Sequence, residues 1–175
     1  MTDATPPDGD IPAGITLRSP SDEFPASPKI ALTVPASWRP EPTTDAALLA
    51  FDTQAPPHFR TNVLVTVDRV RRDAELRDAV QGLARDAAAS YPDFRVIHVR
   101  NAEVGAQPAA LRLQTFTPRE PAAAPVFQLQ VVVFAPAPED RPTRDLVQVH
   151  ATCSAELAGI YAPTFEEIVS SFAFE

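Results

Sequence analysis

The sequence predicts an α+β domain, an antiparallel sheet of about six to seven strands packed by two main helices. Three observations carry this. Asn62-Val-Leu-Val-Thr-Val-Asp-Arg-Val70 alternates, with Val63, Val65 and Val67 on one parity and Leu64, Thr66 and Asp68 on the other; this is the period of a strand with one apolar face. Leu76, Val80, Leu83, Ala84, Ala87 and Ala88 then recur at helical spacing, with Arg72, Arg77, Asp78, Arg85 and Asp86 off that stripe. The second half holds three consecutive strand-like runs joined by short proline-bearing loops, which reads as an antiparallel meander, and closes on an amphipathic run.

The elements follow in chain order. Residues 1–27 carry Pro6, Pro7, Pro12, Pro20 and Pro25 among many Asp, Ser and Thr. Such a stretch buries too little apolar surface to offset its ordering entropy, so it reads as a flexible segment before one domain over 28–175. Ile15, Leu17 and Phe24 are the residues that could tack it down. Lys29–Val34 alternates and forms a first strand, stopped by Pro35; Trp38 follows in a proline-bounded loop, Pro35–Pro40. Ala46–Asp52 is a second, buried strand. Asn62–Val70 reads as the central strand and the run after it as the main packing helix, capped by Asp73 and ended before Pro92. Gly82 in mid-helix points to a close approach to the sheet. Strands are expected over Phe94–Glu103, Ala109–Thr117, Pro125–Ala135 and Asp145–Ser154. A last helix runs over Pro163–Phe174, with Thr164 at capping-box distance from Glu167.

Composition narrows the function classes. Net charge is -8 over 175 residues, with 45% hydrophobic residues. That supports a real core and argues against nucleic-acid or anionic-membrane binding, which need a basic face. No apolar run reaches the length of a membrane span. Met1 opens a polar, acidic segment with neither the basic-then-apolar pattern of a signal peptide nor a lipid-bearing cysteine, so the expected compartment is cytoplasmic. Cys153 is the lone cysteine; it shares the apolar parity of Val147, Val149 and Ala151 and reads as a buried small hydrophobe.

No catalytic, cofactor or metal signature emerges. His150 and Cys153 fall on opposite parities of one strand, poorly placed as a base–nucleophile pair. A metal would need His98, His150 and Asp68 to converge; His58 sits in a proline-rich loop. Asp22-Glu23, Glu139-Asp140 and Glu166-Glu167 read as solvated surface, and five glycines form no phosphate-cradling motif. One pattern stands out. Arg112, Gln114, Gln128, Gln130, Gln148, His150 and Thr152 lie opposite the apolar parity on three successive strands. If these strands pair, the seven form one polar face. Antiparallel sheets often leave one side wet, which is the plainer expectation; a ligand- or protein-binding surface is the sharper one.

Pro35 and Trp38 after the first strand, Asn62–Val67 before a helix, the meander, and Tyr161-Ala-Pro-Thr-Phe-Glu-Glu-Ile-Val-Ser-Ser-Phe172 resemble the actinobacterial LpqN/LpqT family. That family shares its fold with PsbP of photosystem II and the nuclear-transport factor Mog. The resemblance covers about residues 25–174. It implies a PsbP-like sandwich and a non-catalytic binding or accessory module, without cofactor, acting on an unidentified protein partner; members are typically secreted lipoproteins. A small-molecule carrier with a pocket between sheet and helices near Trp38 and Tyr161 is the rival reading. A homodimer through an edge strand stays open.

Overall fold

The computed structural model describes residues 20–21, 25–55, 59–119 and 124–175. Among these the chain forms β1 (Ile30–Ala31), β2 (Trp38–Pro40), β3 (Leu48–Asp52), β4 (Asn62–Arg71), α1 (Leu76–Ser90), β5 (Arg95–Val104), β6 (Gln107–Phe116), β7 (Val126–Phe134), β8 (Thr143–Ser154), α2 (Ala158–Ser170) and β9 (Ala173–Phe174). A 3-10 turn, Ala155–Leu157, feeds α2. Seven strands pair in the order β2-β3-β4-β8-β7-β6-β5, every neighbour antiparallel. β1 and β9 make a separate two-stranded ribbon. The α+β expectation holds, meander included.

Register sorts the side chains into rows. Val65, Val149, Val131 and Leu111 lie abreast across β4, β8, β7 and β6. Val67, Val147, Val133 and Ala109 form the next row. These rows face α2, which plants Phe165, Ile168 and Val169 on them, with Trp38, Cys153 and Phe172 at the margins of the same core. Val65, Leu129, Val131, Val149 and Phe165 are all 0% exposed. The intervening rows are Leu64, His150, Gln130 and Arg112, then Asn62, Thr152, Gln128 and Gln114. They point to the opposite face, which α1 covers through its contacts with β6 and β7.

Several expectations are corrected. β8, not β4, holds the middle of the seven strands. The main packing helix is α2, because α1 has no buried residue while α2 has three. Asp73 does not cap α1. Its carboxylate takes two hydrogen bonds from Arg71, at 2.9 and 2.8 Å, and Glu75 stands at the cap position without a side-chain bond. Gly82 answers no steric demand, since a Cβ there would meet only Arg85 Nη2 at 3.8 Å. Trp38 lies in an edge strand rather than a loop, an edge being the place where Pro40 is tolerated. Pro163 and Thr164 sit inside α2, which the apolar stripe from Ala158 through Tyr161 and Ala162 draws back to the 3-10 turn. Ala173–Phe174 leaves that helix to pair with β1. The expected strand Lys29–Val34 shrinks to Ile30–Ala31. Residues 1–19, Asp22-Glu23 with Phe24, and His58 lie outside the described residues.

Candidate functional site

All seven residues of the expected polar face come together beside α1, five of them buried and Gln128 and His150 half-buried. Arg112 is 2% exposed, Gln114 and Gln130 3%, and Gln148 and Thr152 6%. The expectation of a wet sheet face is thereby overturned. α1 crosses that face, and Leu83, Ala87 and Tyr91, spaced four residues apart on one side of the helix, look down on it.

Buried amides require partners, and here they find one another across the strands. Arg112 Nη2 donates to Gln130 Oε1. Gln130 Nε2 donates to Gln148 Oε1 at 2.9 Å, and Gln148 Nε2 donates to Asp68 Oδ2 at 3.0 Å. The relay runs from β6 through β7 and β8 to β4, from a cation to a carboxylate. Every amide dipole is aligned head to tail, so each bond polarises the next. A second chain runs beside it: Gln114 Nε2 to Gln128 Oε1 at 2.6 Å, then Gln128 Nε2 to Thr152 Oγ1 at 2.9 Å. His150 Nδ1 stands 3.4 Å from Gln128 Oε1. Arg112 also donates through Nη1 to Val80 O in α1, at 3.2 Å, which ties the helix to the sheet.

Between helix and network lies a cleft of about 290 Å³, lined by the seven residues together with Asn62, Leu64, Leu83, Ala87, Tyr91 and Phe116. Arg112 also lines a second cavity of about 550 Å³, a more apolar trough between α1 and β5 walled by Leu76, Val80, Ala84, Val96 and Val99. Neither lining contains a carboxylate. Among the described residues, Gln114 Oε1 and Arg112 Nε find no hydrogen-bond partner. Both atoms are themselves enclosed, on side chains that line the cleft.

Electrostatics follow from burial. Burial, then the nearby Arg112 charge, press His150 down to about 4, against the opposing pull of Asp68. It is therefore neutral near pH 7. Arg112 itself is lowered by burial. Among the described residues it makes no ion pair, and its guanidinium carbon sits 5.7 Å from the Phe94 ring centre. On the opposite face Cys153 is 0% exposed, and burial pushes its thiol up to about 12. His98 lies on β5, three strands from β8, or roughly 14 Å at ordinary strand spacing. His98, His150 and Asp68 therefore do not converge.

Trp38 and Tyr161 belong to the α2 face and line neither cavity beside α1. Trp38 is 6% exposed in the core; Tyr161 stacks on Phe165 and donates to Asp52 Oδ2 at 2.6 Å. The carrier reading, located at these two residues, thus meets its cavities on the other side of the sheet. The lining residues that the sequence reading left out were within reach. Leu83, Ala87 and Tyr91 share a helix face, while Asn62, Leu64 and Phe116 share strand parity with the seven.

No curated protein sequence matches this chain. Solved structures do, at the level of fold. LpqN of Mycobacterium tuberculosis, described as involved in cell envelope biogenesis, superposes with a TM-score of 0.69 at 18% identity, covering 86% of this chain and 85% of that one. Cyanobacterial PsbP from Synechocystis gives 0.56 at 10% identity, covering 86% and 95%. A Pseudomonas aeruginosa protein of unknown function, PA94, gives 0.50 at 14% identity, covering 83% of each. The cytoplasmic expectation finds no support in these comparisons, because the matching family is described as a lipoprotein. Among the described residues no helix is long and apolar enough to cross a membrane. The family model for "Probable lipoprotein LpqN" matches residues 12–174, and the chain belongs to that family.

Proposed function

We propose that this protein is a non-catalytic binding module that holds a small neutral or anionic molecule in the cleft beneath α1. It would work in the setting that the LpqN family description and the M. tuberculosis relative suggest, as a lipoprotein associated with the cell envelope. The observation that carries this reading is the cleft itself, walled by buried polar side chains and without a carboxylate in its lining. A ligand hydroxyl or amide can exchange hydrogen bonds with the polar side chains of that lining. A cation would meet the Arg112 charge in the lining, whereas the Asp68 carboxylate stands outside that lining, at the far end of the relay. The adjoining trough, at about 550 Å³, falls within the ordinary range of ligand pockets and accommodates an apolar continuation of the same molecule.

The ionisable groups in the cleft lining are Tyr91, Arg112 and His150. A histidine held neutral down to about 4 by burial and the Arg112 charge, with Asp68 pulling the other way, favours recognition over proton transfer.

The test is a ligand screen read by amide chemical shifts on the full chain, with neutral, anionic and cationic compounds in equal number. Saturable binders should be neutral or anionic and should shift Leu83, Ala87, Tyr91 and the strand residues of the cleft. Gln114→Leu should weaken them by about tenfold, the cost of one unmade buried hydrogen bond. Binders that are mainly cationic, or shifts confined to the α2 face, would overturn the reading. Trp38 fluorescence is the wrong reporter, because that ring lies on the far side of the sheet.

A further inference from the structure

The proposed ligand leaves β5 unexplained. This strand ends the seven-strand sheet, and among the described residues nothing pairs with its outer edge. The opposite edge, β2, is three residues long; β5 is ten. Soluble proteins usually keep such edges short, covered or charged. Here Val96 is 43% exposed, Ile97 58% and Val99 49%. Ile97 is the extra residue of a bulge in the pairing with β6, which throws one more apolar side chain outward.

The charge of the edge is out of keeping with the chain. A protein of net charge -8 presents Arg95 and Arg100 on this strand against Glu103, with Asp93 just before the strand close enough to feel the Arg95 charge. Arg100 is only loosely engaged, 3.9 Å from Glu166. Both partners of that contact stay well exposed. Self-association is disfavoured by the same facts. Antiparallel pairing of two copies about Val99 would set the two Arg100 side chains diagonally across from each other, and both copies carry the same net charge.

We infer that β5 is a docking edge for an extended, acidic segment of another protein, which adds to the sheet as an eighth strand. Main-chain hydrogen bonds to the open edge supply affinity, and alternate side chains supply selectivity. Apolar residues of the segment pack beside Val96, Ile97 and Val99. Its carboxylates meet Arg95 and Arg100. Val96 and Val99 also wall the apolar trough, so the added strand lies beside the ligand without occupying the cleft.

The test is hydrogen–deuterium exchange on the full chain with a synthetic peptide of about eight residues, a usual strand length, alternating valine and glutamate. A valine–lysine peptide is the control. The acidic peptide should slow exchange across residues 95–104 by about tenfold or more, and the basic one should not. Ile97→Lys and, separately, Arg100→Glu should each weaken the acidic peptide by about tenfold; both side chains are exposed, so the fold should survive either change. Four results would overturn the inference: protection confined to other strands, equal protection by both peptides, outer-edge amides already protected in the free chain, or a dimer that Ile97→Lys dissolves.

Discussion

The two faces of one sheet are built to different rules. Toward α2 the rows are valine, leucine and alanine at zero or near-zero exposure, and the helix contributes Phe165, Ile168 and Val169 to the same core. Toward α1 the same four strands present glutamine, histidine, arginine and threonine, and the helix above them buries no residue completely. On one side the apolar rows pack against α2; on the other the amide lattice holds its shape by hydrogen bonds, and two cavities lie beside α1. Strand alternation thus lets a single sheet carry stability on one surface and a binding cleft on the other.

The sharpest contrast should come from truncation. Phe165→Ala empties a fully buried ring position and should cost about 3–5 kcal/mol, while Leu83→Ala over the cleft should cost about 1 kcal/mol. Chemical denaturation of both variants gives the comparison directly. Similar costs would mean that α1 packs as tightly as α2.

Acidity should act through the α1 face. His150 is held at about 4 in the fold, against an ordinary value of 6.5. Between those limits the unfolded chain binds the proton and the folded one does not. Stability should therefore fall as pH drops from 6.5 toward 4, by up to about 3 kcal/mol, and this contribution should level off below 4. His150→Gln should remove that dependence. Denaturation midpoints at pH 7 and 4.5, compared between the two proteins, decide it. The lowered carboxylates of Asp73 and Asp93 cost stability from about pH 5 downward in both proteins alike, so the difference between the two isolates His150.

Much of this contrast was legible in the chain. The apolar parity of β4, β7 and β8 identified the α2-facing rows, and the polar parity of β6, β7 and β8 identified seven of the thirteen residues that line the cleft. Coverage was not legible. A row of glutamines reads the same whether water or a helix lies above it, because alternation records which side chains share a face and not what covers that face. The stripe of α1 was read as core-forming for the same reason; its small residues, Ala84 and Ala87, rest over cavities and amides. Pro163 misplaced the start of α2, since proline is usual near a helix N-terminus and here sits within.

Two glycines extend the contrast at smaller scale. Gly105, at φ 57°, joins β5 to β6, and a Cβ there would stand 3.0 Å from the Phe174 ring on the crowded side. Gly105→Ala should cost about 1–2 kcal/mol. Gly82→Ala in α1 meets no such obstacle and should stabilise by about 0.5–1 kcal/mol, readable as a small rise in Tm.

One quantity tests the roofed polar face most directly: the solvent exchange of the glutamine side-chain amides. Gln81 of α1 is exposed at the rim of the trough and serves as an internal standard. The NH2 groups of Gln130 and Gln148 should exchange at least about a hundredfold more slowly than that of Gln81, because each is buried and donates within the relay. Exchange of all three at one common rate would mean that water reaches the polar face freely, and that α1 does not roof a cleft.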